Sequence, residues 1–407
     1  MKKPCIGSLL VLHSDIPDIS AEDFLWPVQI NTSQWQGRIG ENGGVPMNTE
    51  AVADVARAGK SKMLLRFNDL LYGWPYRWKN MSEWNAQIDQ AMKNVATYKD
   101  VVYAIAPFNE PDNKFQGDFM TDPTIQGSTY DARVNWLWTY TVRLIRSYNT
   151  GIKIMGPNYE HYRPWDPARG DHTRMRNFLI NAINTNTVPE IMGWHNLGPS
   201  PGDVPFALGS YYRQLEAELN VPGRPLPIAV EEYGPGSGDF EGVAGTIMKH
   251  FAELERARVD WAAQAVFTAG GALGNTLRNP WDYQGPNAGW WLMKWYRDMT
   301  GEYVYSDRWD KRVYQSFDGL ASFDAQQKRV QVLVGGSNDD GDILISGLNG
   351  AGLGSEVRVL VEVAHWQKDP MEFDTNEIEL AGDVNLGTEV VYEKEFTIGN
   401  ANELRVP

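Results

Sequence analysis

Residues Ala104–Asn113 read AIAPFNEPDN. They belong to the run Val101–Phe108, almost wholly apolar, which breaks abruptly into Asn109, Glu110, Pro111 and Asp112. A strand apolar along its whole length has both faces covered, the mark of a parallel sheet clothed in helices. A carboxylate at the end of such a strand costs desolvation unless it is paired or hydrogen-bonded. Pro111 ends the strand by removing a backbone donor.

The flanks of this stretch repeat one pattern. Upstream, Asn80–Tyr98 opens N-x-x-E (Asn80, Glu83), a capping-box-like start with Asn at the cap. Trp84, Ile88, Ala91, Met92 and Val95 then fall on one helical face. Downstream, Val134, Trp138, Val142 and Ile145 mark a helix around Tyr130–Tyr148. Strand-like runs at Cys5–Leu12, Pro27–Thr32, Lys62–Phe67, Ile152–Gly156, Glu190–Trp194, Pro227–Val230 and Ala263–Thr268 complete a set of eight. Helical segments follow them, among them Met175–Ile183, Ala207–Leu219, Val243–Arg256 and Trp290–Met299. Eight strand–helix units predict a (β/α)8 TIM barrel, with an open doubly wound sheet as the alternative.

After Gly301 the helical period disappears. Short alternating runs such as Val330–Val334, Val357–Val363, Ile378–Leu380 and Val390–Ile398 are separated by turn clusters. They predict an all-β sandwich. The expected organisation is a catalytic barrel over residues 1–301 and a β-sandwich domain over 302–407.

Composition narrows the function. The chain has 407 residues, 37 Lys plus Arg against 52 Asp plus Glu, and a net charge of −15. Nucleic acids and anionic membrane surfaces both need basic patches, so neither is an expected partner. No apolar run reaches the roughly 18 residues of a membrane span. A single cysteine, Cys5, excludes an intrachain disulfide and C-x-x-C motifs. The start MKKPCIGSLLVL is read as a first strand, with no small-x-small cleavage site after it. That places the chain in the cytoplasm as it stands, or in the secreted or periplasmic space if a signal was removed. There is no G-x-S-x-G or H-E-x-x-H, and the six histidines lack metal-ligand spacing, so no metal or cofactor is expected.

In a barrel, chemistry gathers at the C-terminal ends of the strands. There stand Arg66, Asn68 and Asp69 after strand three, Asn109 and Glu110 after strand four, and Asn158, Glu160 and His161 after strand five. Trp194 and His195 follow at strand six, Glu231, Glu232 and Tyr233 at strand seven, and Trp281 in the long loop after strand eight. Glutamates at the ends of two apolar strands are a plausible frame for paired acid/base and nucleophilic work.

The pair PFNEPD and AVEEYG, on strands four and seven, resembles clan A of the glycoside hydrolases. The layout of barrel plus C-terminal β-sandwich is most similar to glycoside hydrolase family 39, with family 5 second. The resemblance implies that Glu110 is the acid/base and that Asn109 contacts the substrate 2-hydroxyl. Strand neighbours point to opposite sides, so only one of Glu231 and Glu232 is expected to face the mouth. In the clan the nucleophile directly precedes an aromatic–Gly pair, which selects Glu232 before Tyr233-Gly234; Glu231 would then face the helices or meet a cation.

Around this pair, Arg66 is expected to keep Glu232 ionised, or to form a structural ion pair. Tyr233 or His195 would hold the nucleophile, and His195 contacts substrate or carboxylate. Glu160 and His161 are candidates for a sugar subsite. Trp281 is the expected stacking platform, with Trp194 and Trp290 as competitors. The implied activity is a retaining hydrolase of β-glycosides acting on an oligosaccharide or polysaccharide. The alternatives are an inactive carbohydrate-binding barrel and a transglycosylase using the same residues.

Overall fold

The computed structural model describes residues 5–8, 29–30, 53–54, 56–57, 62–67, 71, 75–112, 114–197, 203–234, 244–264, 288–304, 318–336, 343–348, 351–354, 356–364, 388–397 and 403–406. Asn68, Asp69 and Trp281 lie outside them, as does the expected run Ile378–Leu380; the side chain of Trp290 does too. Contacts divide the chain into two compact units, one of residues 4–233 and 256–265, the other of 1–3, 234–255 and 266–407.

Among the described residues, the main sheet of the first unit has eight strands: β1 Cys5–Ser8, β2 Gln29–Ile30, β3 Met63–Arg66, β4 Val102–Ala106, β5 Lys153–Tyr159, β6 Ile191–Leu197, β7 Ile228–Gly234 and β8 Trp261–Gln264. They form one sheet in the order β1-β8-β7-β6-β5-β4-β3-β2. The registers are parallel, as in Cys5↔Trp261, Gln29↔Leu64 and Ala104↔Lys153. The first strand therefore pairs with the eighth, and from the second to the eighth each strand pairs with the next in sequence. A doubly wound sheet instead reverses its order at a switch point. The curled parallel sheet fits the (β/α)8 expectation.

Alanines and larger aliphatic residues from the strands form one buried cluster. Leu64, Ala104, Ala106, Met155, Ile191, Ala229 and Ala263 surround one large side chain, Trp261, and all are buried. Tyr103 meets the Trp261 ring edge-on at 5.8 Å. Alternating small and large residues are what a tapering interior of this size accepts.

The helices pack on the outside through aromatic rings. Asn80 caps α1 (Met81–Thr97), its Oδ1 accepting from the Glu83 N–H at 2.9 Å. Trp84, Ile88, Ala91, Met92 and Val95 form the buried face of that helix, as the period predicts. Thr129 caps α2 (Tyr130–Ser147) in the same way. Phe108, just beyond β4, touches both helices, with ring centres 6.2 Å from Trp84 and 5.6 Å from Trp138. Burying such a ring stabilises by about 1.5–3 kcal/mol. The indole N–H groups are satisfied, Trp84 by Thr141 Oγ1 and Trp138 by the Thr187 carbonyl, both at 2.9 Å. A Cβ at Gly156 would stand 2.6 Å from the Trp138 ring, so β5 needs glycine where that indole presses on it. The Trp84, Trp138 and Trp194 side chains are core in this way.

One helix departs from its expectation. The segment Ala207–Leu219, expected as a single helix, is a π-helical turn over Phe206–Tyr212 that leads into a short helix at Arg213–Glu218. Gly209 in that turn weakens the α-helical alternative. The helix α3 (Asp171–Thr185) starts after Gly170 and ends at Asn186, both left-handed (φ 71° and 56°).

In the second unit, Ala244–Ala257 and Ala288–Arg297 are helical. Tyr296 donates to Glu255 Oε1 at 2.6 Å. After them the strands are antiparallel: Glu302–Val304, Asp318–Asp324 and Arg329–Gly335 form a three-stranded sheet. Ile343–Ser346 pairs with Glu403–Val406, and Glu356–Ala364 with Thr388–Thr397. Among the described residues no helix is long and apolar enough to cross a membrane.

Candidate active site

Four strands of the first unit bring their C-terminal ends together. From β3 comes Arg66; from the end of β4, Asn109 and Glu110; from β6, His195; from β7, Glu231 and Glu232. All six are buried. A buried cluster of ionisable groups persists only if its charges are paired, and here each has a partner.

The tip of β4 is held in an uncommon backbone. Glu110 has φ 45°, a left-handed conformation rare for a non-glycine residue. Its N–H donates to the Asn158 carbonyl at 2.8 Å. Asn158, itself left-handed at φ 59°, returns a bond from Nδ2 to the Phe108 carbonyl at 3.0 Å. This two-way clamp between β4 and β5 turns the Glu110 side chain where a plain strand ending would not. Gly193 on β6 makes room for it, since a Cβ there would lie 2.1 Å from Asn158 Oδ1.

The side chains then form one connected set. Arg66 Nη1 donates to Asn109 Oδ1 at 2.7 Å and also binds Glu232 Oε1. Asn109 Nδ2 donates to the Tyr76 hydroxyl at 2.6 Å. His195 Nδ1 lies 2.8 Å from Glu110 Oε1 and 3.4 Å from Glu232 Oε2, and its Nε2 lies 3.1 Å from Glu231 Oε1. One oxygen each of Glu110 and Glu232, with a ring nitrogen of His195, lie within 4.8 Å of one another. A cation could bridge such a trio, but the imidazole and Arg66 already engage both carboxylates.

The charges follow from burial set against these partners. Burial works to raise the Glu232 pKa, yet His195 and Arg66 outweigh it and hold the carboxyl below its usual range. Burial keeps Glu231 above its usual range despite the opposing His195 bond and the charges of Arg66 and His195. Burial alone would lower His195, but Glu232, Glu110 and Glu231 together hold it well above the ordinary imidazole value. The cluster thus contains an ionised Glu232 and a cationic His195.

The other expected residues are placed as follows. Tyr233 is buried, with a phenol raised well above its usual pKa by desolvation. Trp194, the strand neighbour of His195, is only 1% exposed and packs on Tyr162 and Tyr212 at 5.3 and 5.7 Å. Glu160 pairs with Lys114 at 3.2 Å, and its N–H donates to Asp112 Oδ1 at 3.0 Å. His161 bridges in strand fashion to Asn196, and burial lowers its pKa to about 4. Burial raises Asp112 to about 6. Sequence reasoning missed Tyr76, the second anchor of Asn109, although the aromatic run WPYRW marked the segment. It also left Gly193 without a role.

Comparisons with known proteins bear on the fold. No family model matches the chain. A 3-O-beta-L-arabinopyranosyl-alpha-L-arabinofuranosidase of Bifidobacterium pseudocatenulatum is 29% identical over 252 residues, which are 58% of this chain and 24% of that protein. A 3-O-alpha-D-galactosyl-alpha-L-arabinofuranosidase of Bifidobacterium longum subsp. longum is 26% identical over 279 residues, 65% of this chain and 23% of that protein. The chain spans about a quarter of the length of these curated relatives. Among solved structures, N2152 from Neocallimastix frontalis is 25% identical with a TM-score of 0.77, covering 100% of this chain and 92% of that one. A family 39 β-xylosidase from Caulobacter crescentus shares the fold at 15% identity and a TM-score of 0.50, covering 92% of this chain and 84% of that one. The fold is glycoside-hydrolase-like.

Proposed function

We propose that the chain is a retaining glycoside hydrolase that works by double displacement, with Glu232 as nucleophile and Glu110 as acid/base. The observation that carries this reading is the approach of the two carboxyl groups, with oxygens within 4.8 Å, from β4 and β7. Retaining enzymes hold the two carboxyls about 5–5.5 Å apart, inverting ones about 6.5–9.5 Å, to leave room for water.

In the first step Glu110 protonates the glycosidic oxygen while Glu232 attacks the anomeric carbon. The bond to the leaving group breaks and a glycosyl ester forms on Glu232. In the second step Glu110 takes a proton from water, and the resulting hydroxide equivalent releases the sugar. Arg66 supports the role of Glu232 by keeping it ionised and aimed. Asn109, anchored by Arg66 and Tyr76, takes the 2-hydroxyl.

This chemistry and the names of the relatives support one substrate class. A β-D-xyloside and an α-L-arabinofuranoside both present a 1,2-trans bond to the nucleophile, and we assign the chain to that class, within an oligosaccharide or polysaccharide. We also assign residues 1–301 to the barrel domain and 302–407 to a β-sandwich domain. The last helix among the described residues ends at Arg297 and antiparallel pairing begins at Glu302, which supports that boundary.

The test is turnover of aryl β-D-xylosides and α-L-arabinofuranosides by the parent, Glu110→Gln and Glu232→Gln. Each variant is expected to lose on the order of a hundredfold or more on unactivated substrates. Near-parental turnover by both variants would overturn the assignment, and sugar binding without turnover by the parent would point to a binding barrel.

A further inference from the structure

Glu231 has no part in the double displacement, yet it is the most deeply placed carboxylate of the site, with 0% exposure. Its Oε1 meets His195 Nε2 at 3.1 Å, and its Oε2 has no hydrogen-bond partner among the described residues. A buried carboxylate without a compensating partner is costly, so its place calls for a cation. The side chain facing it is the imidazole of His195, whose other nitrogen faces Glu110 at 2.8 Å and Glu232 at 3.4 Å.

We infer that Glu231 and His195 form a proton store for the acid/base: Glu231 orients His195 and stabilises it as imidazolium, and His195 Nδ1 passes its proton to Glu110 Oε1. This deepens the proposed glycosidase mechanism and rests on it for the role of Glu110. The transfer is balanced within the site. The Nδ1–H bond breaks with its electron pair left on nitrogen, an O–H bond forms on Glu110, and His195 becomes a neutral imidazole that still donates Nε2–H to Glu231.

The geometry favours this arrangement over a neutral structural histidine. A neutral imidazole has one N–H, so one of its two nitrogens would present a lone pair to a carboxylate oxygen. As imidazolium it donates at both ends. Among the described residues, the titratable groups that meet the ring are Glu110 from β4 and Glu231 and Glu232 from β7. His161, just past β5, is held neutral by burial, which lowers it to about 4, and Arg66 from β3 binds Glu232. Three carboxylates against one nearby arginine leave room for one more positive charge. Glu231 is therefore a positioning residue, acting on the reaction through His195.

The test compares the full chain with Glu231→Gln on two substrates. For a glycoside with a poor leaving group, which needs the proton, the alkaline limb of kcat/KM is expected to move down by about one pH unit or more. For a 2,4-dinitrophenyl glycoside, which needs no proton, the rate is expected to stay within a fewfold of the parent. An unmoved limb, or equal losses on both substrates, overturns the proposal. Nitrogen-15 imidazole NMR gives a second readout that needs no turnover: His195, identified by its loss in His195→Gln, should hold both ring protons to higher pH in the parent than in Glu231→Gln. Identical titrations overturn the relay even if the parent proves not to be a glycosidase. Should Glu231→Gln fail to fold, Glu231→Asp, which keeps the charge, should retain the parental titration, and a lowered titration there counts against the relay.

Discussion

Glu110 and Glu232 reach the same nitrogen of His195 from two strands that lie three places apart in the sheet, at 2.8 and 3.4 Å. That shared contact sets the gap between the carboxyl groups. It depends in turn on the left-handed backbone of Glu110 and on the residues that enforce it.

Gly193→Ala tests that dependence. The new methyl would stand 2.1 Å from Asn158 Oδ1, so Asn158 must move and its bonds to Glu110 and Phe108 must weaken. A displacement of about 1 Å at a reacting group costs on the order of a hundredfold in rate. The expected outcome is a kcat/KM reduced by roughly that factor in a folded protein, checked by steady-state kinetics beside circular dichroism. Unchanged kinetics would show that the clamp does not aim Glu110.

Arg66 offers a charge test. Burial works to raise the Glu232 pKa, and His195 and Arg66 hold it down against that. In Arg66→Met the Arg66 contribution is lost, so the Glu232 pKa rises. The nucleophile is active only when ionised, so the acid limb of kcat/KM should move to higher pH. A pH–rate profile that keeps its acid limb would assign that limb to another group.

His250 makes stability depend on pH. Burial lowers its pKa to about 3 from an ordinary 6.5, so the folded chain binds fewer protons than the unfolded chain between those values. Stability from this residue is complete above about 6.5 and falls as pH drops toward 3. Thermal midpoints of the parent should fall over that window, and those of His250→Gln should fall less steeply. Parallel slopes would remove His250 as the cause.

How far the sequence already carried this picture differs from element to element. The capped face of α1 was legible because Asn80 and the spacing of Trp84, Ile88, Ala91, Met92 and Val95 are local signals. The strand ends were less so. Both β5 and β6 run three residues past their expected ends, because Asn158 and His195 look like loop residues and are in fact strand residues pointing into a polar mouth. The choice between Glu231 and Glu232 was framed by strand alternation, which separates their directions. Alternation alone could not show that a histidine from the neighbouring strand meets both, one at each ring nitrogen. The π-helical turn at Phe206–Tyr212 has no signature in hydrophobic period. Tyr76 is linked to Asn109 only through the tertiary fold, across 33 residues of chain.

The central claim is that Glu232 becomes covalently attached to the sugar, and trapping that ester tests it most directly. The 407-residue chain would be incubated with an activated 2-deoxy-2-fluoro glycoside of the 1,2-trans class, digested, and sequenced by mass spectrometry. The account predicts a time-dependent loss of activity and one fluoroglycosyl group on Glu232 in the peptide containing Val230-Glu231-Glu232-Tyr233. A label on Glu231 or any other residue, or turnover with inverted anomeric configuration and no label, would contradict it.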